Sequence, residues 1–329
     1  RIIDALFEVE GAYALIGIAN DKLIGVRDPL GIRPLVLGKI NESYILASET
    51  CALDIIGAKF IREIKNGEVV VITKDGLESY MPFPKKPERP CIFEYIYFAR
   101  PDSIVGGKSI YECRKLFGRE LAKESHVDAD MVIPVPDSGV PSAIGYAEQD
   151  GIPFELGITR NHYVGRTFIQ PKQSIRSFSV RLKHNANRTL VAGKKIVLID
   201  DSIVRGTTSL KIVRMMREAG AKEIHFRVSS PPITHSDFYG IDTPSRDQLL
   251  ASEKSVAEMC EYLGADSLSF LSIEGIYRAL GHTDGRNADC PQYTDHCFTG
   301  DYPTNLEDEA GGELNSQLSF LSISEPHDQ

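Results

Sequence analysis

The sequence predicts an α/β protein built from two units, and three observations carry this prediction. Short apolar segments separated by turn residues fill positions 1 to about 80, strand patterns alternate with helical patterns from about 91 to 287, and a proline-rich segment lies between them. Successive hairpins favour an antiparallel sheet, whereas alternating strands and helices favour a parallel sheet with helices on its faces. We therefore expect a small strand-rich unit followed by a larger parallel α/β unit.

The first unit is expected to span residues 1–84. Its apolar segments, GAYALIGIA, DKLIGVRD, LVLGKI, YILAS and EVVVITKDG, are bounded by turn residues, and one short helix is predicted around 49–56. The segment MPFPKKPERP follows, with four prolines within ten residues. Because proline can neither donate to a β-ladder nor continue a helix, residues 85–90 are predicted to be a linker.

The second unit is expected to span residues 91–287. Its predicted elements are a helix over 109–125, strand MVIPVP, a helix over 141–150, strand KIVLID, a helix over 207–219 and strand EIHFRV. Residues 288–329 contain the acidic stretch EDEAGGE, and we expect a C-terminal surface segment that ends in an acidic tail.

The composition disfavours several classes of function. A net charge of -9 over 329 residues argues against a nucleic-acid partner, which needs surplus Lys and Arg. No apolar run approaches the roughly 20 residues of a membrane helix and no leader pattern opens the chain, so we expect a soluble, cytoplasmic protein with no membrane partner. The six cysteines form no C-x-x-C pair, which argues against a secreted disulfide framework. The first residue is Arg1 rather than Met, so the natural polypeptide is expected to extend upstream.

The strongest chemical signal is KIVLIDDSIVRGTTS, residues 195–209. An apolar strand ends in Asp200 and Asp201, and a short loop with Gly206 leads into a helix that opens with hydroxyl side chains. The N–H groups and the dipole at such a helix start favour a phosphate, and adjacent carboxylates suit ribose hydroxyls or a divalent ion. An ordinary strand and helix with a surface turn would need neither the acidic pair nor the hydroxyl run.

Two further segments are expected to join this site. VIPVPDSGVPSAIGYA places residues 137–139 at the carboxyl end of a neighbouring strand, where ligands of open α/β sheets bind; alone it would be an ordinary turn. Between Glu155 and Asp200 there is no carboxylate, while nine Lys and Arg side chains fall there. This basic segment is either a solvated loop or a flap that closes over a multiply charged anion, and its neighbours favour the flap.

Residues 195–209 resemble the motif with which type I phosphoribosyltransferases bind 5-phosphoribosyl 1-pyrophosphate (PRPP). By this resemblance, Asp200 and Asp201 hold the ribose hydroxyls and share a Mg²⁺ ion with Ser138. The 5'-phosphate is expected in the loop formed by Ser202, Ile203, Val204, Arg205, Gly206, Thr207, Thr208 and Ser209. The other expected PRPP contacts are Asp137, Ser138, Arg160, Tyr163 and Arg166.

NHYVGRTFIQP, FEYIYFARPDS, RDPLGIRPLVLG, FYGIDTPS and CFTGDYPT together resemble the amidophosphoribosyltransferase family, from about residue 1 to 305. The resemblance implies a pentosyltransferase that forms 5-phosphoribosylamine, pyrophosphate and glutamate from PRPP, glutamine and water, the first committed step of purine synthesis. Residues 1–84 would then be the later part of an α+β N-terminal-nucleophile glutaminase sandwich. The family also implies purine nucleotides as inhibitors and a homo-oligomer, either tetramer or dimer.

Two departures from the family pattern limit what this resemblance implies. The glutaminase nucleophile of the family is an N-terminal cysteine that precedes Arg1, so no glutaminase catalytic residue is expected in this chain, and a chain truncated as given would use ammonia alone. Some members hold an iron–sulfur cluster on four cysteines. Cys91 and Cys297 match two of those positions, whereas Asp237 and Thr294 occupy the others; Cys290 is the alternative ligand, and we expect no cluster.

Two other functions stay open from the sequence. A nucleobase phosphoribosyltransferase would typically lack a strand-rich N-terminal unit of this size. A PRPP-sensing regulator that binds nucleic acid would need a basic DNA-binding module, which the acidic composition disfavours.

Overall fold

The computed structural model describes residues 1–161, 184–241 and 243–306. Hairpins come first along the chain, and alternating strands and helices follow. None of the helices in the described ranges is long and apolar enough to cross a membrane.

The first 80 residues form two antiparallel sheets. Their helices are α1 (Ile2–Leu6) and α2 (Thr50–Ile55), and their strands are β1 (Ala14–Ala19), β2 (Lys22–Arg27), β3 (Val36–Ile40), β4 (Ser43–Ala47), β5 (Lys59–Glu63), β6 (Val69–Thr73) and β7 (Gly76–Tyr80). One sheet has the order β1-β2-β6-β7 and the other β4-β3-β5. The predicted hairpins and the short helix after residue 49 are confirmed.

The two antiparallel sheets pack face to face. At Gly25 of β2 they approach closely, because an added Cβ would lie 2.6 Å from Leu46 Cδ1 of β4. The shared core between them consists of Leu35, Leu37, Ile64, Val70 and Ile72.

The rest of the described chain is an α/β unit. Its strands are β8 (Ile104–Val105), β9 (Lys108–Ser109), β10 (Met131–Pro134), β11 (Ile158–Arg160), β12 (His184–Ala186), β13 (Lys195–Asp200), β14 (Glu223–Val228) and β15 (Ser267–Phe270). Its α-helices are α3 (Ile110–Glu124), α4 (Val140–Asp150), α5 (Arg188–Val191), α6 (Thr207–Glu218), α7 (Leu250–Glu253), α8 (Val256–Leu263), α9 (Ile273–Ala279) and α10 (His296–Thr299). A π-helix (Glu94–Phe98) and a 3₁₀ turn (Arg246–Gln248) complete it.

The central sheet of this unit is parallel, with the order β10-β13-β14-β15. On β13, Val197 and Ile199 pack towards α3, α4 and α9, whereas Ile196 and Leu198 pack towards α6 and α8. All four side chains are fully buried, which is why KIVLID is an unbroken apolar run. The predicted parallel sheet with helices on both faces is confirmed.

Helices α3 and α4 touch backbone to backbone on one face of this sheet. An added Cβ at Gly118 would overlap the carbonyl oxygen of Ser142, and one at Gly145 would overlap that of Lys115. These contacts fix the first turns of α4 relative to α3.

Two local predictions are wrong. Residues 2–6 form α1 rather than a strand or turn, and Leu6 is buried against Val26 and Val69; a short apolar run does not by itself distinguish a helix from a strand. Residues 293–298 are buried, although a surface segment is predicted from 288. Asp295, which is fully buried, accepts from Tyr277 Oη and from Arg286 Nε, each at 2.7 Å.

Candidate active site

The two adjacent carboxylates lie at the carboxyl end of β13, between β10 and β14. Asp200 ends the strand, Asp201 follows it, and both residues are 6% exposed. The N–H of Asp201 donates to Asp200 Oδ1 at 3.0 Å, and Ser202 Oγ donates to Asp201 Oδ2 at 2.6 Å. This is the edge of an open parallel sheet at which ligands bind.

The charges of this acidic pair favour a cation. Burial, and then the charge of Asp201, raise the pKa of Asp200 well above its usual value. A bound cation relieves repulsion between buried carboxylates. Among the residues that the structure describes, no group of three or more His, Cys, Asp or Glu could hold a metal ion. Carboxylates are among the ligands that Mg²⁺ takes from proteins, one or two at a time, with water and substrate phosphate completing its shell.

The loop after the acidic pair leads directly into the N-terminus of α6. Gly206 precedes the helix with φ of 71°, a backbone conformation that glycine adopts readily, and an added Cβ would lie 2.5 Å from Leu250 Cδ2. Thr207 and Thr208 are exposed in the first turn of this 12-residue helix. The free N–H groups and the dipole of a helix start favour an anion at this point.

Several residues of the predicted 5'-phosphate loop have side chains that are buried or that contact other parts of the protein. Ile203 and Ser209 are buried, and Ile203 packs into the core beside α6. Val204 is partly buried, and its carbonyl accepts from Leu250 N at 2.9 Å. Arg205 is exposed, and its Nε donates to the side chain of Gln248 at 3.2 Å. The loop therefore offers mainly backbone groups at 203 and 204.

Residues 137–139 lie beside the acidic pair. They join β10 to α4, and an added Cβ at Gly139 would overlap the carbonyl oxygen of Ile199, the residue before Asp200. The peptide bond between Pro136 and Asp137 is cis. The structure thus brings the 137–139 loop, which holds two of the expected PRPP contacts, and the acidic pair to the same sheet edge.

Arg160 is the predicted flap contact that falls within the described residues. It ends β11, and it lies opposite His184 in an antiparallel pairing with β12. Its guanidinium forms an ion pair with Asp137, which places a positive charge beside the 137–139 loop. Tyr163 and Arg166 lie outside the described residues.

Arg114 of α3 is a residue that the sequence analysis does not single out. It is 4% exposed, and its guanidinium donates to Tyr95 O at 3.0 Å and to Ala99 O at 2.7 Å. Burial lowers the pKa of Arg114, and the nearby Asp201 carboxylate is the largest influence that opposes this shift. The sequence does indicate the burial of Arg114 through its spacing. Arg114 lies four residues after Ile110 and four before Gly118, so it shares the buried face of α3.

A second buried cluster contains the positions that correspond to the iron–sulfur ligands of some family members. Cys91 and Thr294 form a β-bridge, and Cys297 is also buried. Burial raises the pKa of the Cys91 thiol to about 12. Burial would raise the pKa of Asp237, but the contact with His296 at 2.9 Å and the N–H groups of Ile241 and Tyr239 together lower it.

In this buried set of residues the Asp237 carboxylate pairs with His296, and Asp237 and Thr294 carry no sulfur with which to bind iron. Cys290, the alternative ligand, is exposed. The expectation that no iron–sulfur cluster forms stays a prediction.

Residues 108–230 match the phosphoribosyl transferase domain family. This range runs from the start of α3 to just beyond β14 and includes the 137–139 loop, the acidic pair and α6. The chain thus carries a type I phosphoribosyltransferase domain, built on a parallel sheet flanked by helices.

Similarity to known proteins extends well beyond this domain. The chain is 60% identical over 328 residues to the amidophosphoribosyltransferase of Rhizobium etli, covering 98% of this chain and 66% of the relative. It is 52% identical over 316 residues to amidophosphoribosyltransferase 1, chloroplastic, of Arabidopsis thaliana, covering 95% and 55%. The solved glutamine PRPP amidotransferase from B. subtilis, complexed with ADP and GMP, matches with a TM-score of 0.85 at 48% identity, covering 92% of this chain and 66% of that one.

The chain belongs to the amidophosphoribosyltransferase family. It spans 55% to 66% of the length of these two curated relatives.

Proposed function

We propose that the protein transfers the phosphoribosyl group of PRPP to ammonia with release of pyrophosphate, and that the whole protein obtains the ammonia from glutamine. The observation that carries the proposal is the buried pair Asp200 and Asp201, placed directly before the anion-favouring start of α6. The family of the chain supports ammonia, rather than a nucleobase, as the acceptor.

In this proposal the sheet edge divides into three parts. Asp200 and Asp201 accept hydrogen bonds from the ribose hydroxyls, and residues 202–209 surround the 5'-phosphate with backbone N–H groups and the hydroxyls of Ser202, Thr207 and Thr208. Residues 137–139 contact the pyrophosphate, and Arg160 lies beside them. Tyr163 and Arg166 are proposed as further contacts on the strength of the family resemblance.

The reaction is a substitution at C1 of the ribose. The lone pair of neutral ammonia forms the C1–N bond, the C1–O bond breaks, pyrophosphate leaves with that electron pair, and the nitrogen then loses a proton to water. The protein supplies no nucleophile for this step. It orients sugar and phosphate, and orientation of this kind can contribute ~7 to 11 kcal/mol.

Asp200, Asp201 and Ser138 are the residues that would hold Mg²⁺. The ion would supply positive charge to the departing pyrophosphate. Arg160 is placed to add to that charge once its partner Asp137 is engaged by ligand.

We further propose that residues 1–84 are part of a glutaminase sandwich, 85–90 a linker, 91–287 the phosphoribosyltransferase domain and 288–329 a C-terminal segment. An open edge supports the first assignment. Ile16 lies opposite Gly25, on the face of β1 that points towards the second sheet, yet Ile16 and Ile18 are 49% and 82% exposed. Inward-facing side chains are covered by the facing sheet in a complete sandwich, so further strands of that sheet would lie over β1. Cys51 is not assigned as the glutaminase nucleophile, since it lies inside α2 and burial raises its pKa.

The remaining partners are proposed from the family. The B. subtilis relative was solved with ADP and GMP, which supports purine nucleotides as inhibitors of this protein. We propose a homo-oligomer of two or four copies, a cytoplasmic location and no nucleic-acid partner.

Release of pyrophosphate tests the proposed function. The protein is supplied with PRPP and Mg²⁺ together with ammonium, adenine or orotate, and pyrophosphate is followed over time. We expect turnover with ammonium alone. Turnover with adenine or orotate instead would identify a nucleobase enzyme, and PRPP binding without turnover would identify a sensor.

A further inference from the structure

We propose that Arg114 is a positioning residue for phosphoribosyl transfer, through which the N-terminal sheets fix the surroundings of the acidic pair. The inference rests on the proposed function, since it concerns turnover of PRPP. Arg114 itself touches neither substrate nor metal in this proposal.

The first support is the set of backbone contacts that Arg114 makes. Its Nε donates to Tyr95 O at 3.0 Å and its Nη2 to Ala99 O at 2.7 Å, so one guanidinium holds both ends of the π-helix. Its own carbonyl accepts from Ser142 Oγ at 3.1 Å, in the first turn of α4. Since α4 follows Gly139, Arg114 joins the π-helix to the helix that begins at the 137–139 loop.

The second support is the charge around Arg114. Burial lowers the pKa of its guanidinium, whereas Asp201, Cys113, Glu49 and Glu94 each raise it. Glu94 is already paired with Arg33 at 2.8 Å. Of the four, Asp201 most strongly opposes the lowering of the Arg114 pKa that burial causes.

The third support is that the N-terminal sheets hold the chain that follows the π-helix. Glu49 accepts from Arg100 N at 2.8 Å and from Ser103 Oγ at 2.7 Å. Thr50 Oγ1 accepts from Ile104 N at 2.9 Å, and Glu63 accepts from Gly106 N at 2.7 Å.

Arg33 joins the π-helix to a later segment of the chain. Its Nη1 pairs with Glu94 at the start of the π-helix, and its Nε donates to Tyr239 O at 2.8 Å. Residues 94–106 therefore lie between the N-terminal sheets and Arg114. A shift of these sheets would reach the acidic pair through Arg114, and a misplacement of about 1 Å can cost about 100-fold in rate.

The first test compares Arg114→Gln and Arg114→Lys with the unaltered protein in ammonium-dependent turnover of PRPP. For Arg114→Gln we expect kcat to fall by roughly 10- to 100-fold with little change in KM for PRPP, because positioning rather than binding is lost. Lys keeps the charge but not the fork that bonds two carbonyls, so Arg114→Lys should recover part of this loss.

Arg227→Gln is the matched control. Arg227 is equally buried at 4% and also bonds two main-chain carbonyls, those of Ser125 and Phe226, both at 3.0 Å. This variant should lose thermal stability, yet keep its kcat at temperatures where it stays folded. A similar loss of kcat in both Gln variants would mean that the removal of any buried arginine lowers kcat. That result would overturn the proposal.

A double-mutant cycle with Glu49→Ala tests whether the N-terminal sheets influence the acidic pair through Arg114. We expect Glu49→Ala to lower kcat alone and to add little in the Arg114→Gln background, whereas additive effects would contradict the proposal. If Arg114→Gln does not fold, Arg114→Lys takes its place in the cycle. An inactive unaltered protein would refute the proposed function itself, whereas an active protein with unchanged kcat in the Arg114 variants would refute this inference alone.

Discussion

The α-carbon of Gly139 faces the carbonyl oxygen of Ile199 so closely that a methyl group at Gly139 would overlap it. Ile199 precedes Asp200, so this contact sets the distance between the 137–139 loop and the acidic pair. The carbonyl of Val135 closes the same position from another side, at 2.9 Å from an added Cβ. Main-chain atoms form both walls, and neither can rotate away.

Gly139→Ala should therefore displace the loop and lower kcat/KM for PRPP by roughly 10- to 100-fold, the scale of a misplacement near 1 Å. Steady-state kinetics with varied PRPP measures this. Gly17→Ala on β1 is the control, because nothing lies within 4 Å of an added Cβ there. Equal activity of the two variants would show that the loop does not set the geometry of the site.

Asp200→Asn should lower PRPP turnover by roughly 100- to 1,000-fold, the cost of removing one oriented polar group from an active site. The same variant should melt at an equal or higher temperature without ligand, because it removes the charge that repels Asp201. Kinetics and thermal unfolding are measured on one preparation, with the exposed Asp128→Asn as control. Lower stability together with wild-type turnover would mean that Asp200 stabilises the fold and does not bind the substrate.

Glu68→Gln should lower the free energy of unfolding at pH 7 by roughly 2 to 4 kcal/mol, because buried Glu68 accepts from Arg62, Ser79 and the N–H of Lys65. Burial would raise the pKa of Glu68, but these donors outweigh it and lower the pKa.

The carboxylate thus stabilises the fold above its unfolded pKa of about 4.3, and this contribution is lost as the pH falls through the lower folded value. Urea unfolding from pH 7 to 3 should show the two proteins converging below about pH 4. A constant difference over this range would refute the charge argument. Glu42→Gln, in an exposed pair with Lys39, should leave the unfolding midpoint unchanged.

A polypeptide of these 329 residues should make phosphoribosylamine from ammonia and none from glutamine, since no residue of the chain is assigned as the glutaminase nucleophile. Activity should rise with pH as ammonium loses its proton, because only neutral ammonia attacks. Glutamine-dependent turnover by a preparation with the intact mass of 36.4 kDa would contradict this prediction.

The purified protein should be colourless and free of stoichiometric iron and sulfide, because Asp237 and Thr294 stand at two of the four ligand positions of cluster-bearing relatives. Metal analysis and the visible spectrum measure this. A brown preparation that bleaches and unfolds on chelation would refute the prediction.

The site elements that could be predicted are those encoded locally. Strand β13, the acidic pair and the glycine that opens α6 follow one another within residues 195–209, and their roles depend on spacing that the sequence displays. Arg114 was missed because an arginine on a helix is usually exposed, and its carbonyl partners become neighbours only when the π-helix forms. The pair of Arg33 with Glu94 was missed for a related reason, since 61 residues separate its members. Buried Asp295 was taken for surface because its partners Tyr277 and Arg286 are not adjacent in sequence.

The backbone contacts at Gly118 and Gly145 have a mechanical consequence. Neither contact involves a side chain that could change rotamer. A displacement of α3 relative to α4 would therefore require the backbone itself to move. Helices α3 and α4 should therefore move together as one rigid body, which extends from the carbonyls of the π-helix to the 137–139 loop. Because Gly139 is also closed in by main-chain atoms, the adjustment of the site to ligand should occur in the 202–206 loop, while the helix pair stays rigid.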